Sequence, residues 1–163
     1  IAFIIPSFIF TLIFLIKNRN KLWIKAVPEH WIVYFQSFRI LVETLFIFAL
    51  AEGIFNYEVT LQGYNYDMIF AATAPLVAFL VYEKKLFSRK IIIVWNVVGL
   101  LVLGSVIFLF MTSMYKPEIY GSTDPLLPLE AISYPFGLIA GFLMPAAVFL
   151  HVFSIIQICK SRN

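Results

Sequence analysis

The sequence predicts an all-α protein, a polytopic integral membrane bundle of about five transmembrane helices with its amino terminus outside and its carboxyl terminus in the cytoplasm. Three observations predict it. Hydrophobic residues make up 62% of the chain and charged residues 13%, against roughly 45–50% apolar residues in a soluble domain, and mean hydropathy is +0.94. The apolar residues gather into runs long enough to use up all 163 positions as spans with short connections, leaving no room for an extramembrane domain. Lysine and arginine fall in alternate connections.

The first span is residues 1–16. At 1.5 Å per residue it covers roughly 24 Å of a hydrocarbon core of roughly 30 Å, so further residues are expected before Ile1. Its positive charges follow the apolar run, opposite to a secretory signal peptide, and Pro6 is expected to kink it. The connection 17–30 is basic, with Leu22, Trp23 and Ile24 suited to the membrane interface and Pro28 suited to the opening turn of the next helix. The second span, 31–54, carries Gln36 with Arg39 three and Glu43 seven residues further on, on one helical face at about 100° per residue.

The third span, 68–82, has Pro75 at its centre and small residues before it. A helix so short and broken has to be buried by its neighbours, because lipid satisfies no freed backbone group. The fourth span, 91–112, holds Trp95, Asn96, Gly99, Gly104 and Ser105, and the stretch 113–131, with Pro117, Gly121, Pro125 and Pro128, reads as an irregular cap. The fifth, 132–158, places Gly137 and Gly141 at the small-xxx-small spacing of close helix packing, followed by Pro145 and His151. The whole chain, 1–163, is a single transmembrane helical domain without internal repeats.

Orientation follows from the basic residues. Four lie within 17–25, four within 84–90 and two in the tail, whereas the opposite connections hold only Lys116, which places the basic side in the cytoplasm. Six of eight tyrosines fall on the other side, as an aromatic belt would. The absence of an N-x-S/T acceptor in the outer connections favours a bacterial inner membrane. A single cysteine, Cys159, leaves no internal disulfide to form.

A charge at bilayer depth costs roughly 2.5–3.5 kcal/mol on insertion scales, so Arg39 and Glu43 are expected to face protein. Counting inward from the cytoplasmic ends puts Gln36, Arg39, Asn96 and His151 roughly 8–12 Å deep, with Glu43 one turn further. The sharpest expectation is Arg39 paired with Glu43, its hydrogen bonds completed by Gln36, Asn96 and His151, as a ligand or proton pathway. The plainer alternative is an i, i+4 pair that only holds the bundle together. On the outer side Glu52, Asn65 and Asp67 are candidates to line a mouth or cap a helix, with N-capping the favoured reading for Asp67.

No catalytic residue is assigned. Ser105 and His151 differ in depth by roughly 10 Å, too far for a nucleophile and its base. A lone intramembrane histidine does not suit haem. No span contains a lysine for a Schiff base, and HExxH, CxxC and phosphate-binding glycine loops are lacking. Neither a cofactor nor a metal is expected, and nucleic acid is not, since the basic residues form no continuous face. The expected partners are the lipid bilayer and a homo-oligomer or larger membrane complex. Three functions remain, in order: an accessory, structural or binding subunit of a membrane assembly; a small proton-coupled transporter or carrier using Glu43, Arg39 and His151; and a lipid-modifying enzyme.

Overall fold

Every regular element among the described residues is helical, as long apolar runs require of a backbone with no water to bond. The computed structural model describes residues 4–128, 133, 134 and 136–160. The expected beginnings of the first and fifth spans, at Ile1 and Ile132, lie outside them. Helix α1 is described over Ile4–Asn18 and runs on from Pro6 to Asn18. The short α2, Leu22–Ala26, buries Ile24 completely, and Trp23 stacks on Phe153 with ring centroids 5.6 Å apart.

The second apolar run is two helices, α3 at Glu29–Phe35 and α4 at Phe38–Ala51. Between them the hydrogen bonds tighten: Gln36 N–H donates to Val33 O and Ser37 N–H to Tyr34 O, each three residues back. Three residues per turn in place of 3.6 shifts the angular position of every later side chain. Val33, Gln36, Arg39, Glu43, Phe46 and Ala49 are all buried, so the inward face of α3 runs on through the tightened turn into α4.

Helix α5, Asp67–Ala78, runs through Pro75, where a break was expected. Fully buried Ala71, Ala74 and Ala78 pack it closely enough to tolerate the loss of one donor. The irregularity falls later, in a π turn at Phe79–Glu83 that closes with Lys84 N–H on Phe79 O and Lys85 at φ 53°. A second π turn, Ile139–Leu143, precedes α7, Met144–Lys160; Met144 N–H reaches back to Ile139 O, and Pro145, which has no N–H to give, follows at once. The long helix α6, Lys90–Tyr115, is unbroken.

Three stretches are long and apolar enough to cross a membrane: Glu29–Ala51, Lys90–Tyr115 and Ile139–Lys160, of 23, 26 and 22 residues. Even the shortest reaches roughly 33 Å at 1.5 Å per residue. Helices α6 and α7 form the most extensive pair; α1 packs on α7, α3 on α5 and α7, and α4 on α5. Gly141 is buried, and its π turn lies against α1, so this small residue serves packing within the chain.

The connections sort to two ends. At one, Arg89 Nη1 lies 3.4 Å from Glu29 Oε1, Lys160 Nζ meets Arg19 O and Asn20 Oδ1, and Gln157 Nε2 donates to Ile24 O and Val27 O. At the other, Asn56 Nδ2 donates to Leu126 O and the rings of Tyr64 and Tyr120 lie 5.4 Å apart. An apolar core around Phe46, Phe55, Leu109 and Leu127 fills the second end, and one around Val33, Ala78, Ile92 and Ile158 fills the first.

Candidate functional site

Among the described residues, Arg39, Glu43 and Asp67 are the buried charged side chains apart from histidine, exposed by only 2%, 3% and 5%. The structure brings them together, but not in the pairing the sequence suggests. Arg39 Nη2 lies 3.2 Å from Asp67 Oδ1, whereas no ion pair joins Arg39 to Glu43 one helical turn along α4. The Arg39–Asp67 contact lacks the angles of a hydrogen bond, so it is a close Coulombic contact that leaves both atoms free to take a further partner.

Glu43 is held by the segment preceding α5. Asn65 Nδ2 donates to both carboxylate oxygens, at 3.1 and 3.0 Å, and Asn65 Oδ1 accepts the Asp67 N–H at 3.1 Å. Asp67 is thus not the N-cap of its helix: it occupies the first helical position, Asn65 takes its N–H, and its carboxylate is free for Arg39. The segment 56–66 folds on itself to present Asn65, with Tyr64 N–H on Glu58 O and both Gly63 and Asn65 N–H on Thr60 O. At Gly63 the turn is so tight that a Cβ would lie 2.4 Å from Glu58 Cα.

On its other side Arg39 Nη1 lies 3.0 Å from His151 Nε2. A guanidinium has only donors, so Nε2 must accept and the imidazole hydrogen sits on Nδ1. Nδ1 then donates to Asn96 Oδ1 at 2.8 Å. Asn96 Nδ2 donates in turn to Ile92 O at 2.7 Å and to Ser154 Oγ at 3.0 Å. One directed chain therefore runs from α4 through α7 to α6 and back to α7.

Aromatic rings and one glycine fix this chain in place. The Phe70 ring lies under the Arg39 guanidinium, 5.4 Å from Cζ, and stacks on Trp95 with centroids 4.9 Å apart. Trp95 Nε1 is anchored by Thr73 Oγ1 at 2.9 Å. The His151 ring rests on Gly99, where a Cβ would come within 2.2 Å of Cε1. Gly99, Phe70, Thr73 and Ser154 were not singled out as site residues from the sequence; Ser154 follows His151 by one helical turn, and that spacing was the available signal.

The remaining candidates stand apart. Gln36 is fully buried at the α3–α4 break, its side-chain amide hydrogen-bonded to none of the described residues. Glu52 is exposed at the end of α4, while Asn65 and Asp67 lie in the interior and line no rim. Ser105 is exposed and bonded to Val102 O, away from His151. A cavity of about 30 Å³ adjoins Arg39, Glu43 and Asp67 among otherwise apolar walls. A water needs roughly 10–15 Å³ of such space, so the cavity takes one or two.

The described residues contain no cluster of metal-ligating side chains. Comparison with protein-family models, with curated proteins and with solved structures finds no match.

Proposed function

We propose that the chain is an integral membrane protein of five spans, with its basic end in the cytoplasm of a bacterial cell, acting as an accessory or binding subunit of a membrane assembly. One observation carries the reading: the polar side chains of the cluster are directed chiefly at one another, from α4, α6, α7 and the segment preceding α5. The adjoining cavity of about 30 Å³ has room for one or two waters. Buried polar groups directed at one another across three helices specify how helices assemble, whereas a carrier needs a solute-sized polar space. The gathering of the basic connections at one end supports the orientation.

Two measurements test this. In membranes solubilised with mild detergent, the chain should migrate in a complex of defined size larger than its monomer, and the purified protein in liposomes should leave an imposed pH gradient intact. Migration as a free monomer together with dissipation of the gradient would replace the subunit by the second reading, a proton-coupled carrier using Glu43, Arg39 and His151. That reading is favoured by one feature, the excess of carboxylates over cations in the cluster.

Orientation has its own test. On a Cys159→Ser background, single cysteines at Tyr57 and Glu118 should react with an impermeant thiol reagent from outside, and one at Ser88 only after the membrane is opened. The reverse pattern would invert the topology.

A further inference from the structure

We infer that Glu43 is a reversible proton-binding site served by water in the cavity beside Arg39 and Asp67. Two carboxylates and one guanidinium are buried together, so with all three ionised the cluster carries a formal charge of −1 in an apolar surround. A charge there is tolerated only when paired or neutralised. Asp67 has the cation, 3.2 Å away. Among the described residues Glu43 has no cation within ion-pair distance, and its hydrogen bonds come from the neutral amide of Asn65, one Nδ2 shared between two oxygens.

Apart from Asp67, which holds the cation, the groups around Glu43 cannot take the proton in its place. Arg39, on the same helix, is already protonated. His151, on α7, accepts from Arg39 at Nε2 and donates to Asn96 from Nδ1; a proton on Nε2 would set donor against donor. Asn65, from the preceding segment, and Asn96, on α6, are amides without an ionisable proton. Val59 O, 3.4 Å from Asn65 Nδ2, is a backbone acceptor.

Access comes from the cavity. Arg39 Nε and Nη2 and Asp67 Oδ1 are buried without a hydrogen-bond partner among the described residues, and the cavity of about 30 Å³ is lined by these same two residues and Glu43. Unpaired donors and an acceptor on residues that line a space for one or two waters are what an ordered water needs. The step is balanced: a hydronium arriving in the cavity gives its proton to a Glu43 oxygen and remains as water. The site serves the subunit reading and the carrier reading alike.

Infrared spectroscopy of the purified protein in detergent near neutral pH tests the inference. A carbonyl stretch of a protonated carboxylic acid is expected. It should move to lower frequency when the protein is made with carboxyl-¹³C glutamate, stay in place with carboxyl-¹³C aspartate, and disappear in Glu43→Gln. Transfer into D₂O without unfolding should shift the band, as water access requires. Should Glu43→Gln not fold, the labelled wild-type protein carries the assignment alone. No such band, a band that follows aspartate, or a glutamate band unmoved by D₂O would overturn the inference.

Discussion

Replacing Arg39 with leucine is expected to lower stability by roughly 3–5 kcal/mol, the range for removing one partner of a buried ion pair. The loss exceeds that of a missing contact because of what stays behind. Asp67, 5% exposed, keeps its carboxylate with no cation, and His151 Nε2 loses its donor. Leucine restores packing volume but supplies neither. The double substitution Arg39→Leu with Asp67→Asn removes the stranded charge and should recover a substantial part of the loss, since deleting both partners of a buried polar pair is often near neutral. Thermal unfolding in detergent checks this; a double variant no more stable than the single one would show that Asp67 is not what Arg39 neutralises.

Gly99→Ala should be the second most damaging change, at roughly 1–3 kcal/mol for an overpacked core with the loss of the Arg39–His151 hydrogen bond in addition. The new methyl would lie 2.2 Å from His151 Cε1 and 2.7 Å from Phe70 Cε1. Both rings belong to the framework around Arg39, and neither has a flexible end to swing aside. Gly104 on the same helix is the control, because a Cβ there meets nothing within 4 Å. Gly104→Ala should be neutral, or stabilising by up to about 1 kcal/mol through helix propensity. In a His151→Ala background Gly99→Ala should cost distinctly less, with only the Phe70 ring still in the way at 2.7 Å, the non-additivity expected of two residues that occupy one space. Equal melting shifts for Gly99→Ala with and without His151 would mean that the ring is not the obstacle.

Much of the architecture was legible because apolar runs report their own burial. Helical class, the approximate extents of 91–112 against Lys90–Tyr115 and the need to bury the proline-containing third helix all follow from hydropathy and length. The break at Gln36–Ser37 was not legible. No proline or glycine marks it, and it arises from a change of hydrogen-bond step that tertiary packing selects. At Pro75 the error ran the other way: a residue that usually interrupts a helix is carried through by small buried neighbours, and the widening is moved to Phe79–Glu83.

The site shows the same division. Gln36, Arg39, Glu43, Asn96 and His151 stood out because polar side chains in apolar helices are costly, and four of the five do meet. Asn65 and Asp67 stood out too, but as part of a separate outer mouth. Counting residues along each span assigns depth on the assumption that connections stay at the surface. The segment 56–66 instead turns inward, with Val59, Thr60 and Asn65 fully buried, and delivers its polar groups to the middle of the bundle.

By itself, then, the order of residues determined that this is an all-helical chain with spans apolar enough for a bilayer, and that an arginine and a glutamate on one of them must find protein partners. Which partners they find was decided only by the tertiary structure. Hydropathy is a sum over local residues and survives any arrangement of helices, whereas the choice of Asp67 over Glu43 for Arg39, and of His151 as its acceptor, depends on a few ångströms of approach between segments 28 and 112 residues apart.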